Sequence, residues 1–155
     1  MHKNQDQAQK ELLIIENMIK DLKPPVYAFE KLIKQSDFRI LISVLLSSRT
    51  KDTVTAKASE KLFNIASTPE QMHDLSEQEI EKLIYPVGFY RQKAKHIKKI
   101  SAFLKDGKNV PDTQKELELL PGVGRKTANL VLSLAFNIPR ITVDIHVFRI
   151  SQRLS

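Results

Sequence analysis

Apolar residues recur at helical spacing along almost the whole chain. Strand-like alternation is missing, and so are Asn-Gly or Asp-Gly turns between alternating runs. The pattern therefore predicts an all-α fold. A first amphipathic helix is expected over residues 7–22, closed by Pro24 and Pro25, which also suggest a subdomain joint. The apolar face of this helix comprises Leu12, Ile15, Met18, Ile19 and Leu22.

Side chains that cap helices predict where the next elements begin. Ser36 is expected to cap a helix whose apolar stretch, residues 40–46, is too short for a membrane span and suits the centre of a core. Asp52 is expected to cap the following helix, which runs to about residue 65. The segments 68–71 (TPEQ) and 76–79 (SEQE) each have the spacing of a capping box.

The chain is basic, with 25 Lys and Arg against 18 Asp and Glu and a formal net charge of +7. This balance indicates an anionic partner such as nucleic acid or a membrane surface. Part of the charge lies on a helix that follows Gly88 and ends near Gly107, and this face either contacts phosphates or is simply solvated. Its basic residues are Arg91, Lys93, Lys95, Lys98, Lys99 and Lys105.

Two absences narrow the class of protein. No apolar run approaches the roughly 18 residues that a membrane-spanning helix needs, and residues 1–7 are too polar for a secretory signal. We therefore expect a cytoplasmic protein with no membrane partner. The chain has no cysteine, which excludes disulfides and thiolate-bound zinc or iron–sulfur centres within it. Its four histidines lack metal-ligand spacing, so no metal site is expected.

A helix is predicted at residues 113–119, and a long apolar helix is predicted from Gly124 to Phe136. A proline and two glycines form the turn between them. In such a hairpin, backbone N–H groups at the positive end of a helix dipole can bind an anion. An ordinary helix–helix turn also favours glycine, but the basic residues that follow it favour a DNA phosphate. The residues expected to bind DNA here are Pro121, Gly122, Val123, Gly124, Arg125 and Thr127.

Lys126 lies in the first turn of that long helix, where positive charge is disfavoured and a neutral, nucleophilic amine is favoured. Such an amine can form a Schiff base with deoxyribose C1′. Asp144 follows the apolar residues 141–143. Its local sequence predicts that it caps a last helix at residues 145–154. A carboxylate there can also stabilise an oxocarbenium-like sugar, and capping does not exclude catalysis.

Three separated blocks resemble the endonuclease III family, the bifunctional members of the helix-hairpin-helix/Gly-Pro-Asp superfamily of base-excision DNA glycosylases. They are residues 45–52 (LLSSRTKD), residues 87–94 (VGFYRQKA), and residues 120–129 (LPGVGRKTAN) with 143–149 (VDIHVFR). Around these blocks the resemblance as a whole extends over about residues 38–153. Residues 87–94 also share a layout with residues 123–128, which suggests two helix–turn–helix units.

The resemblance implies a monomer that acts on damaged double-stranded DNA at the nucleoid. It implies a flipped-out oxidised pyrimidine, attack by Lys126 on C1′, assistance by Asp144, and β-elimination of the 3′ phosphate. Phe89 matches the family's apolar wedge, which fills the gap left by the flipped base, although a core aromatic is the alternative. Arg49 stands where the family has a second inserted residue, usually Gln, which leaves the opposite-base preference open.

The resemblance also implies further helices beyond the position of Ser155 and four cysteines around a [4Fe–4S] cluster. We therefore expect a C-terminally truncated chain that holds no cofactor. Residues 1–24 would belong to an incomplete second domain, residues 25–140 to the DNA-binding domain, and residues 141–155 to the start of the C-terminal segment. Two alternatives stay open: a non-catalytic DNA-binding fragment, and a G·T mismatch thymine glycosylase on the same scaffold.

Overall fold

The structure is a computed structural model that describes residues 5–20 and 36–154, and within these ranges all regular secondary structure is helical. The all-α prediction is confirmed. In chain order the helices are α1 (Gln5–Lys20), α2 (Asp37–Ser47), α3 (Asp52–Ile65), α4 (Pro69–Asp74), α5 (Glu77–Ile84), α6 (Tyr90–Leu104), α7 (Gln114–Leu117), α8 (Arg125–Phe136) and α9 (Ile145–Leu154).

The core is built around α2, which packs against α3, α6 and α8. Leu41, Ile42 and Leu46 are fully buried, because α2 is apolar on nearly every face and is covered on several sides. The predicted central helix is therefore confirmed. On α1, by contrast, Leu12, Ile15 and Met18 are exposed. Leu22 and the Pro24–Pro25 break lie outside the described residues.

Most of the predicted caps are present. The Ser36 side chain accepts a hydrogen bond from the Arg39 N–H at 3.2 Å, and Ser76 forms a complete capping box with Glu79. Thr68 caps α4. The prediction for Asp52 is wrong, because the extended Lys51 occupies the cap position and Asp52 is the first helical residue. Its carboxylate still lies in the first turn, where the helix dipole favours negative charge.

The basic helix α6 does not place all of its charges at the surface. Lys93 is only 6% exposed, and Lys98 on the same helix donates to the main-chain carbonyls of His73 and Leu75. Neither proposed role, phosphate binding or a solvated face, applies to these two side chains. Their long stems bring the ammonium groups to carbonyls at the C-terminal ends of α2 and α4, where helix dipoles favour cations.

The two predicted helix–turn–helix units are α5 with α6 and α7 with α8, and each pair is in contact. The helix expected at residues 113–119 is shorter than predicted: Thr113 caps it, and α7 comprises Gln114–Leu117. The helix α8 begins after Gly124 and ends at Phe136, where Asn137 adopts a left-handed conformation. These two pairs place the loops described below.

Candidate active site and nucleic-acid interface

The hairpin between α7 and α8 depends on Gly122 for two separate reasons. Gly122 has a φ of +78°, a left-handed conformation that favours glycine. A Cβ atom at this position would also overlap the imidazole ring of His96 on α6. The hairpin thus lies directly against α6, a contact that the motif itself did not reveal.

The hairpin residues have different roles. Val123 is buried, and its N–H donates to the Leu120 carbonyl at 3.1 Å. Val123 was predicted to bind DNA, but its side chain contributes to the core and its amide is already used. Gly124 is the cap residue of α8 and supplies no side-chain hydrogen bond. The first amides of α8, at Arg125, Lys126 and Thr127, therefore have no partner within the helix and are suited to an anion.

Lys126 and Asp144 are brought together at the start of α8. The Lys126 Nζ lies 3.8 Å from Asp144 Oδ2, and both side chains are accessible to solvent. Asp144 Oδ1 accepts hydrogen bonds from the amides of His146 at 2.9 Å and Val147 at 2.8 Å, so it caps α9. The amide of Val147, with smaller contributions from His146 and Lys126, lowers the pKa of Asp144 below its ordinary value. One oxygen of this carboxylate serves the cap while the other faces the amine.

Lys126 and Asp144 line an open cleft of about 930 Å³. The end of α2, the start of α3 and the segment before α9 form its other walls. Its polar lining includes residues that the sequence did not assign to the site, namely Ser47, Ser48, Thr50, Asp52 and His146. Ser47, Ser48, Thr50 and Asp52 all belong to the first matching block, residues 45–52, so the resemblance covered them but assigned none of them a role.

Two loops, which we call the wedge loops, carry Arg49 and Phe89: residues 48–51 between α2 and α3, and residues 85–89 between α5 and α6. Phe89 is 60% exposed, so the alternative that it is a core aromatic is wrong. The Arg49 guanidinium carbon lies 5.7 Å from the centre of the Phe89 ring, within cation–π range. Both residues have left-handed backbones, with φ of 54° and 57°, which is unusual for bulky side chains.

The wedge loops and the hairpin open onto neighbouring spaces. A smaller cleft of about 200 Å³ lies between them and is lined by Arg49, Phe89, His96 and Gly122, among others. Arg49 lines this cleft and also the larger one that contains Lys126. The predicted wedge, hairpin and catalytic residues are therefore contiguous in space, although they come from three separate blocks of sequence.

The described residues contain no group of three or more His, Cys, Asp or Glu side chains that could hold a metal ion. A cysteine-ligated [4Fe–4S] cluster does not fit this chain, because the sequence supplies no thiolate ligand. Among the helices of the described part, none has the length and apolar character of a membrane span.

Comparison with known proteins identifies the family of this chain. A family model described as "HhH-GPD superfamily base excision DNA repair protein" matches residues 42–155. The chain belongs to the HhH-GPD superfamily. The resemblance inferred from the three blocks is confirmed by relatives named Endonuclease III. The protein of Thermotoga maritima is 46% identical over 144 residues, which cover 91% of this chain and 66% of the relative. That of Escherichia coli K12 is 44% identical over 120 residues, which cover 76% of this chain and 57% of the relative.

Solved structures are similar to this chain over most of its length. A non-covalent Endonuclease III–DNA complex matches with a TM-score of 0.82 and 37% identity, covering 99% of this chain and 70% of that one. A thermostable thymine-DNA glycosylase matches with a TM-score of 0.69 and 25% identity, covering 88% and 67%. The chain thus spans roughly 57 to 66% of the length of the curated relatives described here.

Proposed function

We propose that this protein is a DNA glycosylase and AP lyase that removes oxidised pyrimidines from double-stranded DNA. The observation that carries the proposal is the distance of 3.8 Å between Lys126 Nζ and Asp144 Oδ2 at the start of the helix that follows the hairpin. A nucleophilic amine, a carboxylate and anion-binding amides thereby meet in one open cleft. The protein would act as a monomer, in the cytoplasm at the nucleoid.

The chemistry proceeds through a Schiff base. A neutral Lys126 amine attacks C1′ of the flipped nucleotide, and the bond between C1′ and the base breaks as the base takes up a proton. The nitrogen lone pair then expels O4′, which takes up a proton as the C1′–O4′ bond breaks, and the ring-opened sugar is held to Lys126 through a C=N bond. Loss of a proton from C2′ breaks the C3′–O bond and releases the 3′ phosphate, and hydrolysis of the C=N bond regenerates the amine.

Asp144 would act in the first of these steps. Its carboxylate stabilises positive charge on the sugar as the base leaves, and it lies close enough to the amine to assist proton transfer. The hydrogen bonds that cap α9 lower the pKa of Asp144, which favours the carboxylate form further. The amides at the start of α8 would hold a phosphate of the same strand.

Borohydride trapping tests the nucleophile. With a duplex that contains thymine glycol, the protein should give a covalent adduct, and Lys126→Ala should give none. Lys115→Ala is the matched control, because Lys115 is an exposed lysine on α7, outside the cleft. An adduct that persists in Lys126→Ala would exclude the proposed mechanism. If the protein binds DNA and forms no adduct at all, the alternative of a non-catalytic DNA-binding protein is favoured.

Asp144→Asn tests the carboxylate separately from the cap, because asparagine also caps helices well. Single-turnover base release should slow by about 100-fold or more, the usual loss when one group that stabilises a transition state is removed. Binding to a duplex with an uncleavable abasic analogue should change little. Equal losses in binding and base release would assign Asp144 to DNA binding and not to catalysis.

A second candidate function is excision of thymine from G·T mismatches. Arg49 favours it, because its donor-only guanidinium stands at the exposed wedge position and matches the O6 and N7 acceptors of an orphaned guanine. The similarity to a thymine-DNA glycosylase structure agrees with this candidate. Rates of base release from thymine glycol and G·T duplexes, measured side by side, decide between the two.

A further inference from the structure

Lys93 is the one charged side chain among residues 36–154 that is buried. From the first half of α6 it extends to the end of α2, where its Nζ donates to the carbonyl of Leu46 at 2.8 Å and that of Ser48 at 2.6 Å. These carbonyls lie at the negative end of the α2 dipole, which favours a cation. Burial lowers the pKa of Lys93 to about 8, so the ammonium is still the main form at neutral pH.

A third contact connects Lys93 to both wedge loops. Its Nζ lies 3.3 Å from the hydroxyl of Thr50, which also accepts a hydrogen bond from the N–H of Gly88 at 3.1 Å. The same hydroxyl donates to the Ser48 carbonyl at 3.3 Å. Ser48, Thr50 and Gly88 are the immediate neighbours of Arg49 and Phe89 in sequence, so this network holds the backbone on both sides of Arg49 and just before Phe89.

The network holds a backbone conformation that is unfavourable in free energy without it. Arg49 and Phe89 both have left-handed backbones, which residues with a Cβ rarely adopt unless their surroundings fix them. The loops are also in close contact, since a Cβ at Gly88 would lie 2.6 Å from the Arg49 carbonyl oxygen. Without the Lys93 ammonium, two carbonyls and one hydroxyl would lose their shared partner.

We propose that Lys93 is a positioning residue for base extrusion, which holds the wedge loops together so that Arg49 and Phe89 enter the duplex as one unit. This inference rests on the proposed function. Lys93 has no contact with the reacting sugar in this role. Its loss should impair the steps that need an inserted wedge and leave the amine chemistry of Lys126 intact.

The test compares Lys93→Met with Lys98→Met. Lys98 lies on the same helix and donates to the carbonyls of His73 and Leu75, away from the wedge loops. Both variants remove an ammonium that binds main-chain carbonyls, so both should lower the thermal stability. Insertion of the wedge is followed by the fluorescence of 2-aminopurine placed opposite an abasic analogue in a duplex.

Lys93→Met should lose most of the 2-aminopurine signal and release a damaged base from duplex DNA about ten-fold more slowly, because misplaced loops impair positioning. Lys98→Met should retain both. The binding of undamaged DNA should stay within about two-fold in either variant, since the hairpin is unchanged. A normal 2-aminopurine signal in Lys93→Met, or an equal loss in Lys98→Met, would overturn the inference.

Cleavage of single-stranded DNA with an abasic site separates this inference from the proposed function, because such a substrate needs no wedge. If the wild type cleaves it and Lys93→Met does so equally well, the defect lies in extrusion. If the wild type does not cleave it, the proposed lyase activity itself fails. Should Lys93→Met not fold, Thr50→Val removes the hydroxyl at nearly constant volume, and the same fluorescence result decides.

Discussion

The hairpin is made by consecutive residues, 120–126, whereas the wedge loops join segments that lie 38 residues apart where Thr50 meets Gly88. At the end of the hairpin the first amides of α8 are available to a ligand, because Gly124 adds no side-chain bond to them. The wedge loops use theirs internally, since the Gly88 N–H donates to Thr50 and the Thr50 hydroxyl donates to Ser48, and Lys93 of α6 is bonded to three oxygen atoms around them. The proposed phosphate binding by the hairpin requires free amides, and the proposed insertion of the wedge loops requires a fixed shape.

The largest expected effect is on the stability of the hairpin, when an alanine replaces Gly122. Gly122→Ala should lower the free energy of unfolding by about 2–4 kcal/mol, because it adds left-handed strain to overlap with His96. Gly107→Ala is the control for strain alone, since Gly107 has a similar φ of +76° and open space around it. It should cost roughly 1–2 kcal/mol. Chemical denaturation of both variants measures the difference.

Gly88→Ala tests the wedge side of the same contrast. Its Cβ would meet the main-chain oxygen of Arg49, whereas that of Gly122 meets a side chain. The additional substitution His96→Ala should therefore recover part of the stability lost in Gly122→Ala. It should recover none of that lost in Gly88→Ala. Equal rescue of both variants would show that the two sites are not packed as described.

Two exposed arginines should show a smaller difference. Arg125→Ala, next to the open amides, should weaken DNA binding several-fold and reduce the slope of log K against log salt by about 1. Arg49→Ala should leave that slope nearly unchanged and reduce the 2-aminopurine signal, because Arg49 is predicted to insert and not to bind phosphate. Binding titrations at several salt concentrations distinguish the two, and matching slopes in the two variants would contradict the division of roles.

The smallest expected effect concerns pH. Because burial lowers the pKa of Lys93 from 10.5 to about 8, the unfolded chain binds more protons at this residue between those values. Its contribution to the free energy of unfolding should therefore rise as the pH increases through this window. The melting temperature of the wild type, compared with Lys93→Met, should increase by a few degrees at most from pH 8 to pH 10. A constant difference would mean that Lys93 titrates normally.

The sequence was most informative where a structural signal is local. The caps at Ser36 and Ser76, the hairpin at residues 121–124 and the position of Asp144 at the start of α9 all depend on residues within one helical turn. Asp52 was predicted at the cap position but is the first residue of its helix. The sequence did not separate the two positions, because an acidic residue is favourable both as a cap and in the first turn.

The contacts between distant segments were not predictable in the same way. Lys93 belongs to a basic run whose charge alone suggests an exposed surface, and only the packing of α6 against α2 brings it to the Leu46 carbonyl. Val123 was assigned to DNA because it stands between two glycines, yet its side chain fills the core. In both cases the tertiary arrangement decides whether a side chain faces solvent.

The hydrogen bonds of Asp144 have a consequence for the order in which DNA binding and the proposed catalysis become possible while the protein is synthesised. Since Oδ1 is held by the first amides of α9, the carboxylate has a fixed direction only once that helix has formed. The hairpin precedes it in the chain. We expect a nascent protein to bind DNA through the hairpin before its amine has an oriented partner, so that the proposed base release would begin only after α9 has folded.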